Sequence, residues 1–229
     1  VFGFENELIQ SIINIINIYR SEGYFVYEVL CDNDPSFAPL PQILNGNNCK
    51  VSFVSPKSDT IATIDRKIRF IKDRCRAILC GLPFNIPSYL YKYLIFFVIS
   101  RINLINHSYS NINNISPKEM FTGIRTDYYK DLKHYFGQYV QTLNNEMDNS
   151  MSERTSGCIA LSPTSDKDGS VYCFHLKTKK IIKRNKWKEL PINDDIIQLM
   201  NNISKDKQSE LIFNYQNRDL DETEIFEDK

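Results

Sequence analysis

Near Asp131 the spacing of apolar residues changes, and that change limits the folds open to the chain. Before it, apolar positions recur mainly at three- and four-residue intervals, the period of a helix face. After it they fall into short alternating runs, 133–142, 156–162, 170–176 and 179–184, the period of half-buried strands. Asp168-Gly169 between two of these runs is a hairpin-type turn signal. The second part therefore reads as a small β-module, followed by a last helix at about 193–204.

The first part alternates between helix and strand. Residues 5–20 read as a helix with Leu8, Ile12, Ile15, Ile16 and Tyr19 on one face, stopped by Gly23. Residues 24–31 alternate and are aromatic and β-branched, which predicts a strand broken by Asp32-Asn33-Asp34-Pro35. Asn45-Gly46 marks a turn, and residues 50–54 form a short strand. A long helix follows over about 58–80, ended by Gly81 and Pro83, and a second runs from about Pro87 to Asn106. The segment 107–130 is polar and loop-like around Ser116-Pro117, and there is no internal repeat. Strands alternating with helices argue for an α/β layer.

The chain has 229 residues, enough for one domain, or one with a small appendage. A hydrophobic content of 42% supports a buried core. With 28 basic and 28 acidic residues, no global field draws it to nucleic acid or membrane. The six cysteines form no CxxC pair, and His107, His134 and His175 lie far apart in sequence, which argues against structural zinc and for free thiols in a reducing compartment. No signal peptide is legible. The longest apolar run, Tyr93 to Ile99, is far short of the roughly 20 residues a bilayer needs, so no membrane partner is expected. The first residue is Val1 rather than Met, which suggests a processed or incomplete product.

Neutrality hides segregation. Arg66 to Arg76 holds six basic residues and one acid, Lys177 to Lys188 holds seven basic residues and no acid, and Asp219 to Asp228 holds six acids and no base. Two basic stretches point to phosphate, and the tail would either shield them or lie free.

Three acids are candidates for chemistry. Asp32 directly follows a strand, where ligands of open α/β sheets bind, and Asp34 lies two residues on. Asp65 sits inside the first long helix. Carboxylates from a strand end and a helix suit Mg²⁺, which takes oxygen ligands, and paired ions can align a phosphodiester. The alternative is an ordinary turn in which Asp and Asn bond their own backbone. On the long helix, Ile61, Ile64, Ile68, Ile71, Cys75 and Ile78 read as the buried face. Asp65, Arg69, Lys72 and Arg76 share an adjacent stripe at 100° per residue. That stripe either tracks a nucleic-acid backbone or is a solvated face with an Asp65–Arg69 pair. The basic run 177–188, with Trp187 among its lysines, reads as a hairpin that lies along phosphates or simply keeps the module soluble. Cys158 and Cys173 read as small core residues, and His134 and His175 as ordinary surface or core histidines.

These segments, taken in order, resemble a family. "DRKIRFIKDRCRA" at 65–77, "LPFNIPSYLYKYLIFFVISRINL", "ISPKEMFTG" and "DLKHYFGQYV" are similar to the integrase region of Copia-type retrotransposon polyproteins. "CDNDPSF" at 31–37 resembles that family's strand-end segment with its second catalytic aspartate, and residues 156–191 resemble the module after its core. The resemblance covers roughly residues 1–200 and leaves 205–229 without a counterpart.

The resemblance implies an α/β fold: a partial RNase H-like core of the retroviral-integrase type, then a small SH3-like β-barrel. The implied organisation is a core at 1–110, a connecting loop at 111–130, the β-module at 131–191, and a C-terminal helix and acidic tail at 192–229. It implies DNA integration by polynucleotidyl transfer, with Asp32 and Asp65 as catalytic residues and ligands of Mg²⁺ or Mn²⁺. DNA would be held by Arg66, Arg69, Lys72, Arg76, Lys179, Lys180, Lys183, Arg184 and Lys186. A homo-oligomer acting in the nucleus, or in the cytoplasm before integration, belongs to the same picture. The chain departs from the pattern in two ways. The first acid would precede residue 1, and Asp65 stands where the family has glutamate, one methylene longer. The expected product is a catalytically impaired integrase fragment whose first strand has an unpaired edge and an exposed Phe25 or Val26 face, poorly stable or prone to aggregate alone. The alternatives are a non-enzymatic DNA-binding or assembly module and an inactive relic.

Overall fold

In the computed structural model, the described residues are 2–46, 48–54, 59–105, 115–144, 151, 153–164, 166 and 168–205. The acidic stretch at 219–228 and residues 55–58 lie outside them. The chain is a mixed α/β protein that divides into two compact units, Val1–Phe70 and Ile71–Lys229.

The first unit is built on helix α1 (Phe2–Ser21), strand β1 (Glu28–Asp32), helix α2 (Leu40–Asn45), strand β2 (Lys50–Val54) and the opening turns of helix α3 (Asp59–Gly81). Strands β1 and β2 pair in parallel, from Glu28↔Lys50 to Asp32↔Val54. A parallel pair needs a crossover, and α2 lies within it. The core is Ile9 and Ile16 of α1, Cys31 of β1, Leu40 and Leu44 of α2, and Cys49. The α1 stripe is thus Ile9, Ile12, Ile13 and Ile16, while Ile15 and Tyr19 are exposed. This is rotated from the face expected. Isoleucines at 9, 12, 13, 15, 16 and 18 create two overlapping apolar stripes, and periodicity cannot choose between them. The strand expected at 24–31 is paired in register only over 28–32. Phe25, Tyr27, Leu30 and Phe53 are exposed, and among the described residues β1 has one strand neighbour.

Helix α3 is continuous, but its apolar face is not buried throughout. Ile64 is 49% and Ile68 44% exposed, whereas Ile71, Cys75, Ile78 and Leu79 pack into the core of the second unit. Among the described side chains, which leave out that of Ile61, the expected face is covered from Ile71 onward.

The second unit contains helix α4 (Tyr91–Ile102), short helices α5 (Pro117–Thr122) and α6 (Tyr128–Asp131), strands β3 (Tyr139–Leu143), β4 (Thr155–Pro163), β5 (Val171–His175), β6 (Ile181–Arg184) and β7 (Trp187–Glu189), and helix α7 (Asp194–Lys205). Helices α5 and α6 occupy the stretch expected to be loop. Ser116 begins α5 by accepting the Glu119 amide at 3.2 Å, and Gly123 ends it at φ 67°. Asp127 caps α6.

The five strands form one antiparallel sheet in the order β6-β5-β4-β3-β7. Its end strands β6 and β7 are separated by only residues 185 and 186. Three Cα–Cα steps reach about 11 Å, whereas four flat strand spacings would put the ends about 19 Å apart. The sheet must therefore curl until its edges approach. Strands β6 and β7 run in the same direction, since each follows the direction of β4. They are one strand bent across the corner at Asn185 and Lys186. The sheet does not close: its ladder ends at β6 and β7, with no hydrogen bonds between them.

Curling sorts the side chains. Val140, Cys158, Ala160, Val171, Cys173 and Ile182 share one face and bury one another, with Trp187 at their edge. The sheet itself forms this whole cluster, so this is the inner face, and a tight curve fits small side chains. On the outer face Ile159, Leu161, Phe174 and Ile181 meet Tyr89, Leu90, Tyr93, Leu94 and Phe97, with Met200 and Ile203 of α7. The long apolar helix α4, which the sequence grouped with the first half, thus shares its core with the sheet. Gly137 has φ 82°, in the left-handed region that favours glycine.

Phe174 is fully buried. Phe174→Ala is expected to cost about 3–5 kcal/mol, while Phe53→Ala, at an exposed position, costs under about 1 kcal/mol. Urea unfolding curves of the two variants check this contrast.

Candidate nucleic-acid interface

Asp32 is the last residue of β1 and is exposed. The strands of its sheet are parallel, so their C-terminal ends share one edge, and Asp32 lies at that edge as the last paired residue, opposite Val54. Asp65 is exposed on α3, in the same compact unit. Neither carboxylate has a hydrogen bond or ion pair with a described residue. Asp34 is committed elsewhere: its Oδ1 accepts the Ser36 amide at 2.8 Å and the Ser36 hydroxyl at 2.6 Å, starting a 3-10 turn at Pro35–Phe37. These bonds hold its carboxyl below the ordinary value, the Ser36 hydroxyl first. The turn reading thus describes Asp34. Among the described residues, no group of three or more His, Cys, Asp or Glu is placed to hold a metal ion.

The α3 stripe is a run of exposed side chains. Arg66, Arg69 and Lys72 all face solvent. The expected Asp65–Arg69 pair is not formed, and Arg76 instead holds Asp73 at 2.7 Å.

The basic run 177–188 is not one hairpin. It passes through the β5–β6 turn, along β6, around the corner and into β7. Lys177, Lys179, Lys186 and Lys188 are exposed, with Lys179 at φ 56° in the turn. Lys180, beside it, is half-buried. Lys183 lies on the outer face and reaches Asp166 at 2.6 Å, which raises the lysine pKa and lowers that of the acid. Arg184, the other expected DNA contact on β6, is placed differently from Lys183. It shares the inner-face parity of Ile182, is half-buried, and its charge acts on the Cys158 and Cys173 thiols. Alternation along β6 turns it inward. Burial pushes both thiols up.

Trp187 is half-buried at the rim of the inner face, with Lys133 Nζ 4.7 Å from its ring centre. His134 meets it edge-on at 6.2 Å and Phe97 at 5.6 Å. The Arg101 guanidinium donates to the carbonyls of Asp131 and His134, anchoring the chain between α6 and β3. Lys118 ties Asp131 to α5 at 2.6 Å. Sequence reasoning missed this region. Its signal is visible in Arg125 to Tyr135, where Tyr128, Tyr129, Lys130, Lys133 and Tyr135 interleave aromatic and basic groups.

His134 is a core histidine, with Nε2 buried and without a hydrogen-bond partner. Burial lowers its pKa to about 4, the Arg101 charge adds to that, and a bond with the Leu161 backbone opposes it. His175 Nδ1 caps the following turn, at 3.0 Å from the Thr178 amide.

No family model matches the chain, and no curated protein matches it either. Among the described residues, no helix is long and apolar enough to cross a membrane.

Burial of a neutral His134 sets a sign. Between its ordinary value near 6.5 and its folded value of about 4, the unfolded chain binds a proton that the folded chain does not. Stability therefore falls as pH drops through that window, by about 3 kcal/mol in all. Urea midpoints at about pH 7 and pH 4.5 should fall further for the native chain than for His134→Phe. Equal falls would contradict this placement of the histidine.

Proposed function

We propose that the chain is a DNA-binding fragment of a Copia-type retrotransposon integrase, impaired in catalysis. The observation that carries this reading is the run of seven cations without an acid that wraps the turn, edge and corner of the curled sheet. A lysine-rich ridge on a rigid sheet lies along phosphates without reading sequence. The strand order supports an SH3-like module: three hairpin-linked strands extend a meander from β3, and the last strand returns to pair with β3. The parallel β1–β2 pair with its crossover is compatible with a piece of an RNase H-like core. Arg66, Arg69, Lys72 and Arg76 supply a second basic stretch on α3.

Catalysis needs more than this. Asp32 and Asp65 are free to offer two hard oxygen donors, which suits Mg²⁺ or Mn²⁺. Two carboxylates leave most of the ion's shell to water, and among the described residues no group of three or more His, Cys, Asp or Glu is placed to hold a metal ion. This favours a binding role over polynucleotidyl transfer. The same observation supports the second reading, a non-enzymatic DNA-binding or assembly module.

Duplex binding followed by fluorescence anisotropy across a salt series tests the proposal. Affinity should fall steeply with salt, and Lys186→Ala should flatten the log–log slope by about 1. Arg184→Ala should lower thermal stability more than it changes that slope. Absence of binding at low salt overturns the reading. A strand-transfer assay with Mg²⁺ or Mn²⁺, using Asp32→Asn as control, is expected to show no activity. Activity lost in Asp32→Asn would overturn the impaired state.

A further inference from the structure

The stretch from Met120 to Tyr135 exposes Met120, Ile124, Tyr128, Tyr129, Leu132 and Tyr135, six large apolar side chains in sixteen residues. Single exposed apolar residues need no explanation, but a concentration of them marks an interaction surface. Tyr129 is 95% and Tyr135 68% exposed.

The platform beneath them is fixed. Arg101 holds the carbonyls of Asp131 and His134, Ser116 caps α5, and Lys118 joins α5 to Asp131. Exposed phenol rings on an anchored backbone lose little freedom when they bind.

Charge selects the partner. The two acids of this stretch are already engaged: Asp127 caps α6 and pairs with Lys130, and Asp131 pairs with Lys118. Arg125 and Lys133 remain as positive groups, and Lys133 rests on Trp187, which lies inside the basic run 177–188. The surface thus joins solvent-facing aromatic rings to a cationic ridge. Stacking faces beside a basic track are what unpaired nucleotides require, because each base offers a π-face and each phosphate a charge. Duplex bases are already stacked and offer their backbone alone.

We propose that Tyr129 and Tyr135, with Tyr128, Lys133 and Trp187 beside them, form a binding surface for single-stranded DNA. Unpaired bases stack on the tyrosines while the strand's phosphates run onto Lys186 and Lys188. The inference rests on the DNA-binding reading and adds a preference for unpaired strands at a site the resemblance does not mark.

The test measures anisotropy of labelled dT20 and of a 20-base-pair duplex with the full chain, at matched salt. For the native chain, dT20 is expected to bind tighter than the duplex. Tyr129→Ala/Tyr135→Ala should weaken dT20 by about tenfold or more and change duplex affinity less than twofold. Tyr129→Phe/Tyr135→Phe should keep native affinity, because the ring rather than the hydroxyl does the stacking. Lys186→Ala/Lys188→Ala should weaken both ligands. Both tyrosines face solvent, so circular dichroism and melting temperature should match those of the native chain. If dT20 is unaffected by the alanine pair, or binds more weakly than duplex, this inference falls and DNA binding stands. Tighter binding of rU20 than dT20 overturns the choice of DNA. No binding of any oligonucleotide overturns both.

Discussion

The bend between Arg184 and Trp187 is the constraint from which the second unit follows. Two residues cannot bridge the ends of a flat five-stranded sheet, so the sheet curls. Curling makes an inner face that only modest side chains fill, which accounts for Cys158, Ala160 and Cys173 at its centre. It also makes an outer face broad enough for the aromatic residues of α4 and for α7. The bend carries Lys186 at its tip and Trp187 just beyond. The element that forces the curvature is therefore the one that presents positive charge to solvent.

The two units differ in how firmly they hold what they carry. The basic ridge stands on a sheet buried on both faces, and the exposed tyrosines lie in and just after α6, where Arg101 holds the backbone. Asp32 stands at the end of a two-stranded ladder, an arrangement that is marginal without further support. Support there comes from α1 and α2 on Cys31 and its neighbours. Electrostatic attraction tolerates small displacements, whereas metal ligation demands carboxylates fixed to fractions of an ångström. The proposed binding role asks less positional precision of the chain than catalysis would.

Much of this was legible in the sequence. The strands at 50–54, 156–162, 170–176 and 179–184, and the helices at 58–80 and 193–204, lie within a few residues of their observed bounds, because apolar period and turn residues agree there. What was not legible depends on which face meets which neighbour. The isoleucines of α1 allow two stripes, and packing on Cys31 and Leu44 decides between them. Ile64 and Ile68 have the helical spacing of a buried face, yet among the described residues both stay exposed. Strand alternation would have turned Arg184 inward had the corner after it been known. Helices α5 and α6 are too short for periodicity, although Ser116 with Glu119 and Asp127 mark their starts. The tyrosine-rich stretch was in plain view, but its meaning depends on the Arg101 anchor, which joins residues about 30 positions apart.

The distribution of sulfur gives the chain a built-in reporter. Cys31, Cys49, Cys158 and Cys173 are buried, Cys75 is partly covered, and Cys80 in the last turn of α3 is exposed. A maleimide dye added to the native protein meets one open sulfhydryl, so a fluorophore can be attached near Cys80 without engineering. Additional dye uptake counts molecules in which an interior has come apart. Cys158 and Cys173 report on the curled sheet and Cys31 and Cys49 on the smaller unit, so peptide mapping of the adducts would reveal which half opens first.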